Sequence, residues 1–454
     1  MAQKYKQLHF VTLQSLVNWS MAHLINRDLG FTKKFPFARI GDVITRSTLL
    51  IHVEDDVLYK QVTVKTNGGG AVLRNKNLEL GKNIGTKTQY LAREGQFVMS
   101  KIDARNGAFG IITNEIDSAI VTSDFPLFDV NTKLVHPFYL YLLSTTKPFI
   151  QYAQSCSRGT TNRQRIDVDS FLSQKIPLPS LEEQNKIIVA YRTTIAQAKQ
   201  YSTQAKDIDK QIEKYLQDEL EIETRDYTIE KQTDGFLHFI NYSTIDKWGT
   251  DFMVKNIQFS SSTKYKTKKI CQLCNISSGG TPNRGRKEYY GGNIPWIKTG
   301  ELKNEILTDT EEKITPLGMN NSSAKLYPKG SLVVAMYGAT IGKTAKLGVD
   351  ATTNQACAVL FDIDNKQIQT DFLWLYLQSQ TDKLKAMAYG GAQPNINAGI
   401  VANYEIPLPP FDTQNEIVEH ITRLRKKQKD LQRQSLTLRQ QATEQFEQTI
   451  FSVI

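Results

Sequence analysis

A stretch of seventeen residues occurs twice in this chain, and that repetition constrains the fold more than any other feature. "KIPLPSLEEQNKIIVAY" at 175–191 returns as "EIPLPPFDTQNEIVEHI" at 405–421, 230 positions later. Weaker echoes keep nearly the same offset. "VNWSMAHLI" at 17–25 faces "DKWGTDFMV" at 246–254, aligned on Trp19 and Trp248, and "ARIGDVI" at 38–44 faces "KKICQLC" at 268–274. "PLFDVN" at 126–131 faces "VLFDID" at 359–364, and "FYLYLLS" at 138–144 faces "LWLYLQS" at 373–379. One unit of about 230 residues is written twice, so the 454-residue chain is expected to fold as two related halves.

Each copy has two parts. The larger mixes short β-forming runs with turn residues: "QFVMSKI", "GAFGIIT", "SAIVTS" and "FPLFDV" in the first copy, "SLVVAMYG", "TAKLGV" and "ACAVLFDI" in the second. Helices should flank them, as "PFYLYLLSTTKPFIQYAQS" at 137–155 indicates. The expected class is a compact α/β (α+β) domain, present twice.

The smaller part is a long helix. Pro177 and Pro179 hold its entry extended. Ser180 is placed as the N-cap, with Glu183 as its capping-box partner. Tyr191, Ala198, Ala205 and Ile212 then recur at sevens, with Thr194, Tyr201, Ile208 and Tyr215 as the other seam position. In the second copy Ile417, Leu424, Leu431 and Leu438 recur, followed four residues later each time by Ile421, Gln428, Ser435 and Ala442. Two such seams fit an antiparallel coiled-coil pair of helices, each roughly 60 Å long at 1.5 Å per residue. The small and polar Ala198, Ala205, Gln428 and Ser435 would permit close backbone approach and fix the register. The alternative is two independent amphipathic helices, each packed on its own domain. The expected division is 1–179 for the first domain, 180–234 for the central helix and linker, 235–410 for the second domain and 411–454 for the distal helix.

Composition narrows the function classes. Apolar residues at 40% and charged residues at 22% fit a soluble globular protein. The longest apolar runs fall short of the ~20 residues of a membrane span. "MAQKYKQLHF" lacks the apolar core of a signal peptide, and four cysteines make no disulfide framework, so a cytoplasmic location is expected. The net charge of +10 is uneven. Lys+Arg outnumber Asp+Glu by 22 to 14 in residues 1–175 and by 19 to 14 in 235–405, but fall behind by 8 to 12 in 180–234. Two basic blocks around an acidic middle mark two places suited to a polyanion, with a merely solvated basic surface as the other reading.

"YGATIGKT" at 337–344 looks like a phosphate-binding loop, but Gly338 and Gly342 are separated by three residues where that motif needs four. Its counterpart in the first copy, "RNGAFGII" at 105–112, keeps two glycines and lacks Gly-Lys-Thr. Gly338 and Gly342 are therefore read as turn glycines, and Lys343 as an ordinary basic residue able to lie near phosphate. "CQLC" pairs Cys271 and Cys274 at metal-ligand spacing, but no second Cys or His pair follows, so no metal site is expected. There is no Asn-Pro-Pro-Tyr or Asp-Pro-Pro-Tyr, no Gly-x-Gly-x-x-Gly and no His-Glu-x-x-His, and no catalytic residue is assigned.

The doubled Ile-Pro-Leu-Pro, the Gln that follows it and the amphipathic helix together resemble the specificity subunit of type I restriction-modification systems. "ISSGGTPNRGRKEYYGGNIPWIKTGEL" at 276–302, "YPKGSLVVAMYGATIGKTA" and "ATTNQACAVLF" are similar to that family's target-recognition domains. In the first copy "QYLAREGQFVMSKIDARNGAFGII" and "SCSRGTTNRQRIDVDSFLSQKIPLP" fit, while "VITRSTLLIHVEDDV" stands where the glycine-rich opening is usual. The resemblance implies two target-recognition domains, each reading one half of a bipartite site on double-stranded DNA. It implies long helices that set the spacer and dock two methyltransferase subunits. It also implies a non-catalytic chain, with S-adenosylmethionine on the methyltransferase partner and, where a nuclease or translocase subunit attends, ATP and Mg on that subunit.

Base readers must combine cations for phosphate with amide and hydroxyl groups for base edges. In the first domain the candidates are Lys101, Arg105, Asn106, Arg158, Thr160, Thr161, Asn162, Arg163 and Arg165. In the second they are Asn283, Arg284, Arg286, Lys287, Tyr289, Lys298, Lys343, Gln393, Asn395 and Asn397, with Tyr290 and Trp296 nearby as candidates for either contact or core. Two other functions compete: a nucleotide-dependent enzyme resting on the imperfect loop at 338–344, and a coiled-coil adaptor that only joins proteins.

Overall fold

The computed structural model describes residues 29–158, 164–224, 261–389 and 394–451; the echo at 17–25 and 246–254 lies outside them. The chain divides into two compact units. One comprises the chain up to Tyr201 together with Arg433 onward, and the other comprises Ser202–Gln432. The division runs through both long helices, so each unit holds one stretch of each.

In the first unit four antiparallel strands form the main sheet, in the order Phe109–Ile111, Phe97–Met99, Leu127–Val130, Ile44–Arg46. In the second the order is Thr344–Leu347, Leu332–Ala335, Cys357–Phe361, Asn275–Ser278, extended on one side by Glu305–Leu307, which lies parallel to Thr344–Leu347. These are the same four strands in the same order, so the sequence repeat is a repeat of topology. A short pairing closes each domain at its base. Phe37–Arg39 runs against Lys175–Pro177, and Thr267–Lys269 against Glu405–Pro407, with Phe37 opposite Pro177 and Thr267 opposite Pro407.

The cores follow from the apolar strand faces. Phe97, Phe109, Phe128, Phe149 and Phe171 are fully buried in the first unit, and Phe109 packs on Phe97, Phe149 and Phe171 at centroid distances of 5.8–5.9 Å. Val333, Ala335, Ala345, Cys357 and Val359 build the corresponding layer of the second.

The glutamine of the repeated motif explains why the motif is repeated. Gln184 is buried one turn into the first long helix. Its Oε1 accepts the His136 N–H at 2.7 Å, and its Nε2 donates to the carbonyls of Leu134 at 3.0 Å and Pro179 at 2.9 Å. Gln414 does the same in the second unit, accepting from Gln369 N–H at 2.8 Å and donating to Pro409 at 2.9 Å and Gln367 at 3.5 Å. His136 and Gln369 cap the helices Pro137–Thr145 and Thr370–Ser379. One amide in each copy therefore ties the long helix to the orphan N–H of a domain helix.

The long helices are Leu181–Glu219 and Phe411–Ile450. Ser180 Oγ accepts the Glu183 N–H at 3.3 Å, as an N-cap does. In the first unit Ser435 meets Ala198, and Phe446 packs on Tyr139 at 6.3 Å. In the second, Gln428 meets Ala205, and His420 stacks on Tyr215 at 4.0 Å. Tyr191 meets Thr443 in the first unit as well, so within each unit later residues of one helix meet earlier residues of the other and the pairing is antiparallel. The four small and polar seam positions face each other as two pairs. Of the heptad positions Ala198, Ala205, Ile208, Ile212, Ile417, Ile421 and Leu431 are buried, and Tyr191, Tyr201, Leu424 and Leu438 are half-buried. Ile188, Leu216, Leu220, Phe446 and Ile450 are buried without having been singled out by the heptads. Ile188, Phe446 and Ile450 join the first domain's core, so the helix ends serve the domain rather than the seam.

Candidate nucleic-acid interface

In the first domain the chain turns between strands Phe97–Met99 and Phe109–Ile111 through a short 3-10 segment, Ala104–Asn106. Gly107 closes that turn at φ +76°, a conformation natural to glycine. A second element comes alongside it: the two-residue strands Ser157–Arg158 and Arg165–Ile166, the root of a hairpin. Ile166 N–H donates to the Lys101 carbonyl at 2.8 Å, and Lys101 N–H donates to the Asp124 carbonyl at 2.8 Å. The Arg165 guanidinium grips the Asp124 carboxylate with two hydrogen bonds, Nε to Oδ1 at 3.2 Å and Nη2 to Oδ2 at 3.1 Å. Arg105 Nη1 donates to Gln164 Oε1 at 3.1 Å. The fold thus joins Lys101, Arg105 and Arg165, from two distant stretches of sequence, at one hairpin root. Thr160, Thr161, Asn162 and Arg163 lie outside the described residues, as does the side chain of Arg158.

Burial works against the Lys101 proton first, and the charge of Arg46 next; Asp124 opposes them and Arg165 adds to them, leaving its pKa lowered. Arg46, exposed at the end of the edge strand Ile44–Arg46, thereby joins the cluster. No signal in "VITRSTLL" marks it, because it stands alone among apolar and hydroxyl residues. Asn106 is exposed, its amide donates to Asp103 at 3.3 Å, and its carbonyl accepts the N–H of Asn67 at 2.8 Å. Asn67 belongs to the turn of the hairpin Val62–Lys65 and Gly70–Leu73, which Tyr141 pins through a 2.7 Å hydrogen bond to the Gly68 carbonyl.

The second domain repeats this geometry. Ile396 N–H donates to the Met336 carbonyl at 2.9 Å, and Tyr389 and Asn395 exchange backbone hydrogen bonds at 3.0 and 2.9 Å. Gln393 lies outside the described residues. Asn395 is half-buried and also bridges Tyr337 through its backbone. Asn397 is a helix N-cap: its Oδ1 accepts the Ile400 N–H at 2.9 Å, and its Nδ2 donates to the Tyr389 hydroxyl at 2.8 Å. The half-exposed Tyr337 and Tyr389 flank this root, unmarked by any basic or amide cluster.

"YGATIGKT" is a turn between antiparallel strands, Leu332–Ala335 and Thr344–Leu347, where a phosphate loop leads from strand into α-helix. Gly342, at φ +78°, is the counterpart of Gly107, and a Cβ there would lie 2.9 Å from the Thr381 Cα. Gly110, the second glycine of the first copy, is not a turn glycine; it lies in a strand pressed against Ala71. Lys343 follows Gly342 half-buried, its carbonyl accepting the Ala335 N–H at 2.8 Å.

The opening of the second domain carries the other candidates. Arg284 lies over the rings of Tyr290 and Trp296 at 4.6 and 4.8 Å and donates to Glu312 at 2.6 Å. Lys298 reaches the same carboxylate at 3.0 Å and Glu311 at 3.2 Å. Hydrogen bonds from Arg284 and then Lys298 hold the Glu312 carboxyl below its ordinary range. Trp296 is core, its Nε1 donating to the Gly280 carbonyl at 2.9 Å. Asn283 folds back to accept the Gly285 N–H at 2.8 Å, and Arg286 pairs with Glu288 at 3.5 Å. Lys287 is exposed and Tyr289 half-buried on one 3-10 turn. Glu312 escapes a search for basic patches because it is an acid that positions two cations.

Among the described residues no three His, Cys, Asp or Glu side chains gather to hold a metal. Cys271 is exposed and Cys274 buried, and burial pushes the Cys274 thiol up to about 12. No helix among the described residues is long and apolar enough to cross a membrane.

One α/β domain built twice, each copy on its own stretch of an antiparallel helix pair and each with a hairpin root of cations or amides, is a doubled recognition protein. The chain belongs to the type I restriction modification DNA specificity domain family, which matches residues 32–215 and 262–438. It is a specificity subunit of a type I restriction-modification system, with a role in DNA sequence specificity. It is 26% identical over 385 residues to the type I restriction enzyme HindI specificity subunit of Haemophilus influenzae, covering 75% of this chain and 83% of that one. It is 28% identical over 176 residues to the MjaIX specificity subunit of Methanocaldococcus jannaschii, covering 38% of this chain and 40% of that one. The fold is shared with a solved chain described under complex assembly and conformational transition of the type I R-M system, at a TM-score of 0.59 and 17% identity, over 92% of this chain and 98% of that one.

Proposed function

We propose that each of the two domains reads one half of a bipartite site on double-stranded DNA, that the long helices set the spacer between the halves, and that two methyltransferase subunits dock on this chain. The chain itself is non-catalytic in this reading and works in the cytoplasm. S-adenosylmethionine belongs to the methyltransferase partners, and ATP and Mg to a nuclease or translocase subunit where one is present. The observation that carries the proposal is the shared order of four strands, the shared closing strand pair and the shared glutamine clamp of two domains whose hairpin roots differ in chemistry. Matching scaffolds with unlike contact groups suit two unlike half-sites. The groups proposed to meet DNA are Lys101, Arg105, Asn106 and Arg165 in the first domain. In the second they are Asn283, Arg284, Arg286, Lys287, Tyr289, Lys298, Lys343 and Asn395, with Asn397 holding the turn beside them.

The helices test the ruler. Seven residues inserted into each long helix add about 10 Å at 1.5 Å per residue, or about three base pairs at 3.4 Å each. The methylated motif read from genomic DNA should keep both halves and gain a longer spacer. An unchanged spacer in an active complex would remove the helices from that role.

A further inference from the structure

The two hairpin roots agree in backbone and differ in charge. The carbonyl that receives Ile166 belongs to Lys101, and the one that receives Ile396 belongs to Met336. The residues just before those isoleucines are Arg165 and Asn395. Arg46 stands opposite Phe128, whose other neighbour is Phe97; Ile276 stands opposite Leu360, whose other neighbour is Leu332. Position for position, Arg46, Lys101 and Arg165 are answered by Ile276, Met336 and Asn395.

In the first domain Arg165 occupies the Asp124 carboxylate with two hydrogen bonds, Lys101 N–H donates to the Asp124 carbonyl, and Arg46 on the neighbouring strand lies near enough for its charge to act on Lys101. Lys101 is partly desolvated and feels two like charges. A site with cations in excess, partly out of water, is relieved by an incoming anion.

We infer that Arg46, Lys101 and Arg165 form a binding site for a phosphate of the DNA backbone, present in the first domain and replaced by neutral side chains in the second. This rests on the DNA-reading function proposed above. Phosphate contacts set register without identifying bases, and they make binding depend on salt. The two domains then hold DNA by different forces: the first root by charge, the second by the amide and ring surfaces of Asn395, Tyr337 and Tyr389.

The test uses the full-length chain assembled with its methyltransferase subunits. Affinity for a duplex carrying the methylated motif is measured across salt concentrations for the parent and for the double variant Arg46→Ile, Lys101→Met. Those are the residues with which the second copy folds, and Arg46→Gln, Lys101→Gln serves as a second variant should the apolar pair fold poorly. The slope of log affinity against log salt should become shallower by about 0.9, the contribution of one phosphate charge no longer neutralised, while the methylated motif is unchanged. An unchanged slope would overturn the assignment. So would a changed base in the motif with an unaltered slope, since the cluster would then read bases. Thermal stabilisation of the parent, but not the variant, by inorganic phosphate without DNA, together with an unchanged slope, would assign the site to a free anion instead. If the parent complex showed no preference for the motif over a scrambled duplex, the DNA-reading function would fail, and the slopes on that duplex would still report on the cluster.

Discussion

The Ser435 hydroxyl donates a 2.7 Å hydrogen bond to the backbone carbonyl of Ala198. A side chain can reach a helix carbonyl on its neighbour only where the facing residue is small, and Ala198 is fully buried at that point. Ala198→Leu forces extra carbons into this approach and should cost about 1–3 kcal/mol. Ser435→Ala removes one bond to a carbonyl of the helix and should cost about 1 kcal/mol. Denaturant melts of the two variants should rank them in that order.

Ile208 lies in the seam of the second unit, nearly inaccessible to solvent. Ile208→Asp buries a charge without a partner, so several kcal/mol should be lost, or the carboxyl should stay protonated. Reduced recovery of the complex with methyltransferase subunits, together with a lower melting temperature, is the expected result.

Gln184 and Gln414 each satisfy the N–H of a helix-capping residue. Alanine at either should leave buried groups unpaired at a cost of about 1–3 kcal/mol. The losses should be local. Hydrogen exchange should rise around His136 in one variant and around Gln369 in the other, and the double variant should be close to additive.

These glutamines show where the sequence was legible and where it was not. The motif's recurrence announced two copies, and the heptads placed Ala198, Ala205, Gln428 and Ser435 on the seam, because periodicity reports burial along a helix. The tertiary duty of Gln184 was invisible, since its partners His136 and Leu134 lie about fifty residues away. The same limit applies at the hairpin roots. Local clusters drew attention to Lys101 and Arg165, but Arg46 and Asp124 join them only through the sheet. The capping duty of Asn397 was equally hidden, because an exposed N-cap and an exposed contact residue share one composition.

Glu312 is held in its charged form by Arg284 and then Lys298, with its pKa below the ordinary 4.5. A depressed carboxylate contributes stability above its unfolded pKa and loses it as pH falls through the folded one. The second unit should therefore weaken as pH drops below about 4.5, and Glu312→Gln should flatten that dependence. Melting curves between pH 6 and 3 give the comparison.

Thiol labelling checks the "CQLC" assignment. Cys271 is exposed, whereas Cys156, Cys274 and Cys357 are buried. Brief alkylation of the native protein at pH 8 should modify Cys271 first, as read by peptide mass, and zinc chelation should leave the pattern unchanged.

The central claim is that one domain reads one half-site. The paired strands Thr267–Lys269 and Glu405–Pro407 give a natural exchange boundary, so residues 270–404 can be replaced by the matching segment of a relative. Methylated motifs are then read from genomic DNA of cells carrying the parent or the exchanged chain. The account predicts that one half of the motif changes to that of the donor while the other half stays identical. A simultaneous change in both halves would contradict it.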